Sequence, residues 1–170
     1  MAKLEKKFTV PDGEYSPEAV ANFLLDLARQ QGVNINNIKL QKLMYFSNGF
    51  YLARTGKPLL KEGFSAWSNG PVLPFFYDEV NYHYRGGRIT GSFSSNDAVD
   101  PSSRAATIIR TVWNRYGERS VTRLVNISHK PGSPWAHVWN GGTGYLKLIP
   151  TCRIESYFRQ LIDQGNNQPA

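Results

Sequence analysis

The chain is poor in the residues that build disulfide or metal-based frameworks. It contains one cysteine and three histidines among 170 residues, which excludes a disulfide framework and a cysteine-based zinc site. No two histidines stand at the i, i+4 spacing that places both imidazoles on one helix face. We therefore expect neither a metal nor a cofactor.

Long apolar runs are also missing. No stretch approaches the roughly 18 apolar residues that a transmembrane helix requires. The first residues are basic, but the segment that follows them lacks the apolar core of a signal peptide. We expect a cytoplasmic protein that makes no membrane contact.

Patterns typical of catalysis are weak. Ser128 and His129 are adjacent, and adjacent residues rarely direct both side chains at one atom. Asp78 and Glu79 form the one adjacent acidic pair, and on a predicted helix they diverge by about 100°. Residues 141–144 lack the Lys-Ser/Thr of a phosphate loop and precede a predicted strand, which favours a plain turn. We expect no enzymatic activity, and an unrecognised enzyme stays as an alternative.

Positive charge is concentrated in the last third of the chain. Residues 1–100 hold 11 Lys and Arg against 10 Asp and Glu, whereas residues 101–170 hold 9 against 3. A basic face favours an acidic protein surface, nucleic acid or an anionic membrane, and it also fits a solvated surface without a partner. Arg115, Arg119 and Arg123 are spaced by four, but a helix break at Gly117 would divide them. A nucleic-acid-binding regulator is therefore kept as the less favoured alternative.

Helical periodicity accounts for most of the chain. Ser16 followed by Pro17 predicts a helix start, because serine caps free amides and proline has no amide to leave unpaired there. Gly32 and Gly56 are expected to end the first two helices. Asp100 followed by Pro101 predicts the start of a later one. The predicted helices span 17–31, 37–55, 74–84, 101–116, 121–127 and 151–164.

Strand signals are short and few. Residues 64–67 alternate and are rich in aromatics, and they precede an Asn-Gly-Pro turn; residues 145–149 predict a second strand. Residues 85–100 are rich in Gly and Ser and predict a surface loop or a ragged hairpin. We expect one mainly α (α+β) domain over residues 16–164, with about six helices and a two- or three-stranded sheet. Residues 1–15 are then an N-terminal extension, and residues 165–170 a frayed tail.

Two blocks carry a resemblance to a known family. Residues 38–46 are Ile-Lys-Leu-Gln-Lys-Leu-Met-Tyr-Phe, and residues 66–72 are Ala-Trp-Ser-Asn-Gly-Pro-Val. Together with Ser-Pro-Trp at 133–135, they resemble the Panacea domain over about residues 16–158. The positions that match the family pattern are Leu40, Gln41, Lys42, Leu43, Tyr45, Phe46, Trp67, Gly70, Pro71, Val72, Tyr77, Pro134 and Trp135.

The chain departs from the family pattern at two surface turns. It has Asn36 and Asn37 where members often carry Thr-Pro, and Asn69 where they carry an apolar residue or tyrosine. We expect altered contacts at these turns and an unchanged fold. The loop 85–100 carries no resemblance.

The resemblance implies a mainly helical domain with a small sheet. It also implies the role of that family, whose SocA-like and GepA-like members are antitoxins of two-gene toxin–antitoxin systems, often on phages or prophages. Such an antitoxin neutralises a protein toxin, encoded nearby, by direct binding. An adaptor that delivers the toxin to a protease is a second alternative. The identity of the toxin and the oligomeric state do not follow.

Residue types indicate where such a partner would bind. Aromatic side chains and arginine often dominate the energy of protein interfaces. Leu40, Leu43, Phe46 and Trp67 are expected to pack in the core, and Gly70 with Pro71 to shape a turn. We expect the partner to contact exposed side chains at Lys42, Tyr45, Tyr77, Arg115, Arg119 and Arg123.

Overall fold

The computed structural model describes residues 1–166 and shows a mainly helical protein. Within these residues lie eight α-helices and one two-stranded antiparallel sheet. The predicted fold class is therefore confirmed, with two helices, α1 and α7, beyond the six expected. In chain order the elements are α1 (Ala2–Phe8), α2 (Pro17–Gln31), α3 (Asn37–Thr55), β1 (Ser65–Trp67), β2 (Gly70–Val72), α4 (Pro74–Tyr84), α5 (Arg104–Tyr116), α6 (Val121–Ser128), α7 (Pro134–Trp139) and α8 (Thr151–Asn166).

Helix α3 is the centre of the molecule. Every residue from 39 to 49 is buried, and a helix buried on all sides must be enclosed by other elements. It packs against α2, α4, α5, α6, α8 and β2. Helix α8 approaches it closely at Gly49, where an added Cβ would lie 2.3 Å from the ring of Phe158. Any side chain at this position would separate the two helices.

Polar caps fix the starts of the helices. Ser16 accepts a hydrogen bond from the amide of Ala19 at 3.1 Å, and Asn36 accepts one from the amide of Lys39 at 3.0 Å. Ser120 caps α6 in the same way. These side chains pair amides that the first turn of a helix leaves free. The predicted starts of α2, α3 and α6 are confirmed.

The predicted start of α5 is wrong by three residues. Asp100 accepts a hydrogen bond from the amide of Ser102 at 2.9 Å and so closes a turn before the helix. Ser103 is the cap, because its hydroxyl accepts from the amide of Ala106 at 3.1 Å. An Asp-Pro pair satisfies the rules for a tight turn as well as those for a helix start.

The sheet is a hairpin of two three-residue strands. Ser65 pairs with Val72, and Trp67 pairs with Gly70. The predicted strand at 145–149 is wrong: this segment meets β1 through one bridge, between Ser65 and Leu148. Leu146 has φ 65°, which interrupts an extended conformation. The second strand is β2, which the sequence analysis did not predict because Gly and Pro are depleted in strands.

Residues 85–100 form a loop without helix or strand, which agrees with the first of the two predicted forms and not with a ragged hairpin. This loop is not only a surface feature. Ile89, Phe93 and Val99 are buried, and Asn22 of α2 binds the backbone of Phe93 through both ends of its amide at 2.8 Å. The three apolar residues are widely spaced and give no periodic signal. The loop therefore contributes to the core.

The two ends of the chain extend beyond the predicted elements. Helix α1 lies within the predicted extension, and its Phe8 is buried against Phe75 with ring centroids 6.3 Å apart. Helix α8 includes Gly165, which the sequence analysis placed in a frayed tail; residues 167–170 of that tail lie outside the described residues. Among the helices described, none is both long and apolar enough to cross a bilayer.

Candidate partner-binding site

The polar residues of α3 hold the backbone around the hairpin. Gln41 accepts a hydrogen bond from the amide of Leu73 at 2.9 Å and donates one to Asn37 at 3.2 Å. Asn37 in turn donates to the carbonyl of Tyr77 at 3.0 Å. Buried amides of this kind are tolerated because they replace the water that the backbone groups lose. The chain of bonds ties α3 to β2 and to the first turns of α4.

Lys42 is buried, and the expectation that it is exposed is wrong. Its side chain is 0% accessible, and its ammonium donates to the carbonyl of Pro71 at 2.7 Å. Burial lowers the pKa of Lys42 to about 7, because a low-dielectric interior disfavours the charged form. Lys42 therefore supports the hairpin from inside and is not available to a partner. We call Gln41, Lys42, Gly70 and Pro71 the hairpin scaffold.

Gly70 is required by the close approach of the scaffold to α6. Its φ is 100°, and a Cβ added there would lie 2.5 Å from the hydroxyl of Ser128 and 2.8 Å from Cε of Lys42. Both the backbone angle and the space therefore favour glycine. Pro71 follows Gly70 in β2, and the carbonyl of Pro71 accepts the hydrogen bond from Lys42.

Tyr45 is also buried, and its expected exposure is wrong. Its ring makes edge contacts with Phe64 at 5.2 Å and with Phe158 at 5.5 Å between centroids. Its hydroxyl is buried and has no hydrogen-bond partner among the described residues. Burial, with a smaller contribution from Tyr157, raises the pKa of this hydroxyl. Phe46, Leu40 and Leu43 are buried with it, as predicted.

A row of aromatic side chains connects the hairpin with residues 139–145. Trp67 packs on Tyr77 at 4.9 Å and on Tyr145 at 6.5 Å between ring centroids, and Tyr145 packs on Trp139 at 6.2 Å. Tyr145 is 53% exposed and the adjacent Leu146 is 49% exposed. We call Trp67, Tyr77, Trp139, Tyr145 and Leu146 the aromatic surface.

Trp67 belongs to this surface and not to the core. It is half-buried, but the expectation that it packs with Leu40, Leu43 and Phe46 is wrong: those three residues belong to the core cluster, whereas Trp67 packs on Tyr77 and Tyr145. Val72, in β2, is buried as predicted for a motif position in the core.

Trp135 supports the aromatic surface from beneath. Its indole donates to the carbonyl of Trp67 at 2.7 Å, and its ring stacks on Trp139 at 5.3 Å and on His129 at 3.7 Å. Pro134 occupies the first turn of α7, which Ser133 caps. The Ser-Pro-Trp sequence thus starts a short helix that fixes the hairpin from its far side.

The exposed tip of the surface is held by backbone bonds. The amide of Leu146 donates to the carbonyl of Ala66 at 2.9 Å, and the amide of Ala66 donates to the carbonyl of Lys147 at 2.9 Å. Leu146 itself adopts a left-handed conformation, φ 65°. A bulky residue in this region is uncommon and is found where surrounding structure imposes it, often at functional sites. Tyr145 and Leu146 are therefore presented on an ordered backbone.

The three arginines of the predicted interface form a separate region. Arg115 is at the end of α5, Arg119 lies between α5 and α6, and Arg123 is in α6, and all three are exposed. Because α5 ends at Tyr116, they do not form one helical stripe. We call them the basic segment. The guanidinium of Arg115 lies over the ring of Tyr116 at 5.3 Å, whereas Tyr77 packs within the aromatic surface.

The adjacent Ser128 and His129 do not form a catalytic pair. Ser128 donates to the carbonyl of Val125 at 2.8 Å, whereas the imidazole of His129 stacks on Trp135. Burial and the charge of Lys42 both lower the pKa of His129. Within residues 1–166, no three His, Cys, Asp or Glu side chains come together as metal ligands would.

Three members of the aromatic surface were not predicted from the sequence: Trp139, Tyr145 and Leu146. A signal was present, because residues 135–145 contain two tryptophans and a tyrosine within eleven positions. Their meeting with Trp67 depends on the bridge between residues 65 and 148, which joins distant parts of the chain. Local periodicity does not predict such pairing.

Known proteins resemble the chain in sequence. The family model "Antitoxin SocA-like, Panacea domain" matches residues 40–136. The curated protein "Antitoxin SocA" of Caulobacter vibrioides (strain NA1000 / CB15N) is 35% identical over 131 residues, covering 72% of this chain and 70% of that protein. No solved structure matches the chain significantly. The span matched by the family model, residues 40–136, contains the hairpin scaffold, Trp67, Tyr77 and Trp135. It ends before Trp139 and Tyr145.

Proposed function

Since the chain belongs to the SocA-like antitoxin family with a Panacea domain, we propose that it is an antitoxin that neutralises a protein toxin by direct binding. The toxin is encoded beside it, and neutralisation requires no catalysis. The observation that carries this proposal is the aromatic surface, where four aromatic rings pack in a row and Tyr145 and the adjacent Leu146 are about half exposed.

The composition of the aromatic surface favours recognition of a protein. Tryptophan and tyrosine bury a large area with few rotatable bonds, and they are enriched among residues that dominate binding energy. Exposed apolar side chains that lie together are a mark of interaction sites. Tyr145 and Leu146 stand on a backbone already held by β1, so little conformational entropy is lost when a partner covers them.

The basic segment adds long-range attraction to this contact. Arg115, Arg119 and Arg123 are exposed, and exposed charge mainly accelerates association with a surface of opposite sign. We infer that the toxin presents an acidic surface beside an apolar one. Lys42 and Tyr45 act indirectly, by holding the hairpin and the core on which the aromatic surface stands.

Co-expression with the neighbouring gene tests the proposal. The neighbouring product alone should arrest growth, and this chain should restore growth and co-purify with that product at a fixed stoichiometry. The cellular amount of the toxin should be measured at the same time. Rescue with an unchanged amount of toxin supports neutralisation by binding, whereas rescue accompanied by its disappearance indicates a protease adaptor.

A failed rescue has a defined meaning. If no neighbouring product is toxic, or if a toxic one neither binds nor is neutralised, direct neutralisation is wrong. Binding to DNA with a steep dependence on salt concentration would then favour the nucleic-acid-binding alternative, because each neutralised phosphate releases counterions.

A further inference from the structure

A cavity of about 200 Å³ lies between α3, α5, α8 and the segment that follows α6. It is separate from the aromatic surface. One part of its wall is apolar and contains Phe50, Phe158 and Leu161, whereas another carries Arg115 and Lys130. A cavity of mixed lining, with a few polar groups placed among apolar ones, is the usual form of a small-ligand site.

The charged part of the wall has one sign. Arg115 comes from α5 and Lys130 from the segment after α6, and no Asp or Glu of the described residues lines the cavity. Neither cation forms an ion pair within residues 1–166. Two cations from different elements therefore face one cavity without a counter-charge, which favours an anionic occupant.

Tyrosine side chains form part of the inner wall. The hydroxyl of Tyr45 is buried and makes no hydrogen bond to any described residue, and Tyr45 lines the cavity. A buried hydroxyl without a partner costs about 1–3 kcal/mol. Tyr116 and Tyr157 also line the cavity. Burial raises the pKa of both, so their hydroxyls remain protonated donors at neutral pH.

We propose that this cavity binds a monocarboxylate carried on an apolar body. The carboxylate lies between Arg115 and Lys130, and the apolar body lies against Phe50, Phe158 and Leu161. Guanidinium binds the two oxygens of a carboxylate through parallel hydrogen bonds. A phosphate dianion is disfavoured, because taking a second charge out of water into a small, partly apolar cavity is costly and phosphate has no apolar body to cover Phe50, Phe158 and Leu161.

The proposal does not depend on toxin binding and is tested on the isolated protein. Titration calorimetry with 3-phenylpropanoate should show binding at one site, and the uncharged 3-phenylpropanamide should bind at least about ten-fold more weakly. Equal binding of 3-phenylpropanoate and 3-phenylpropanamide overturns the proposal. So does the absence of binding by both 3-phenylpropanoate and the peptide acid introduced below. Tighter binding of inorganic phosphate than of 3-phenylpropanoate also overturns it.

A matched pair of variants places the carboxylate. Arg115→Met should weaken binding of 3-phenylpropanoate at least about ten-fold, whereas Arg119→Met should change it less than about two-fold, because Arg119 does not line the cavity. Both residues are exposed, so both variants should fold. Equal effects of the two would contradict the assignment. Leu161→Trp, which fills the cavity, should abolish binding.

The carboxylate has two sources, a free small acid or the end of a peptide. The peptide acetyl-Ala-Ala-Phe should be titrated with a free carboxyl terminus and, as its control, with an amidated one. Tighter binding of the free peptide than of 3-phenylpropanoate assigns the site to a chain terminus, and the reverse assigns it to a small metabolite. Both outcomes support the carboxylate site.

Discussion

The hairpin scaffold and the aromatic surface meet at the same hairpin, where Trp67 pairs with Gly70, and differ in how they are built. In the scaffold, Gln41 and Lys42 are buried and each pairs with a backbone group near β2. In the aromatic surface, Tyr145 and Leu146 remain about half exposed, although their backbone is bound to β1. The polar groups of the scaffold make their hydrogen bonds within the protein, whereas the aromatic surface has exposed apolar area that is available to a partner.

This difference separates support from recognition. A buried polar side chain is tolerated only when its hydrogen bonds are made. Because Lys42 must bond to the carbonyl of Pro71, it fixes the position of the hairpin relative to α3. Exposed aromatics gain their free energy only when a second surface removes them from water. Substitutions in the scaffold should therefore change folding, and substitutions in the aromatic surface should change binding.

The largest expected effect is on the scaffold, at Gly70. Gly70→Val should lower the free energy of unfolding by about 2–5 kcal/mol, from the strained backbone angle and from the clash with Ser128 and Lys42. Gly132→Val is the matched control, because Gly132 has φ 79° and nothing within 4 Å of an added Cβ. Chemical denaturation measures both, and equal losses would show that the close approach at Gly70 does not matter.

Lys42 should give the scaffold a pH dependence that the aromatic surface lacks. Its pKa falls from 10.5 to about 7 on folding, so between these values the unfolded state binds more protons and stability rises with pH. We expect a gain of about 2 kcal/mol between about pH 7.5 and pH 9. Below the folded pKa this contribution is constant.

The test is the pH dependence of unfolding in Lys42→Met. The gain above neutral pH should disappear in this variant, whereas the exposed Lys57→Met should retain it. An unchanged pH dependence in Lys42→Met would mean that the ammonium stays charged in the folded protein.

The helices and the scaffold could be predicted from the sequence to different degrees. Capped helices such as α2 and α3 follow from their first residues and glycine ends, since those signals are local. The role of Lys42 could not be predicted, because lysine is almost never fully buried. The aromatic surface could not be predicted either, since it depends on the pairing of residues 65 and 148.

Glu62 should give a smaller pH effect of opposite sign. Its carboxylate accepts from the amides of Phe75 and Phe76 in α4, the helix that carries Tyr77. Burial raises its pKa from 4.5 to about 7, so the folded state binds more protons and stability falls as pH rises between these values. We expect a loss of about 1 kcal/mol between about pH 5 and pH 6.

Thermal unfolding of Glu62→Gln at several pH values tests whether Glu62 makes stability fall as pH rises. The fall in stability should become shallower but persist in part, because burial and Glu18 also raise the pKa of Glu79 to about 7. The exposed Glu5→Gln serves as control. A steeper fall in Glu62→Gln would contradict the direction of the shift.

The basic segment should affect association with the toxin and leave folding unchanged. Reversing Arg115, Arg119 and Arg123 together to Glu should slow association with an acidic toxin about ten-fold and leave the dissociation rate nearly unchanged, because exposed charges act mainly on encounter. All three are exposed, so unfolding should be little affected. Stopped-flow association at two salt concentrations measures this. If association is as fast as in the wild type, the basic segment does not face the toxin.

The central claim is that recognition lies on the aromatic surface, and the affinity for the purified neighbouring toxin tests it most directly. Tyr145→Ala combined with Leu146→Ser should weaken binding by at least about 2 kcal/mol, roughly 30-fold, as for residues at the centre of an interface. Tyr82→Ala is the control, because Tyr82 is 80% exposed and is not part of that surface. Wild-type affinity in the double variant, with an unchanged free energy of unfolding, would contradict the account.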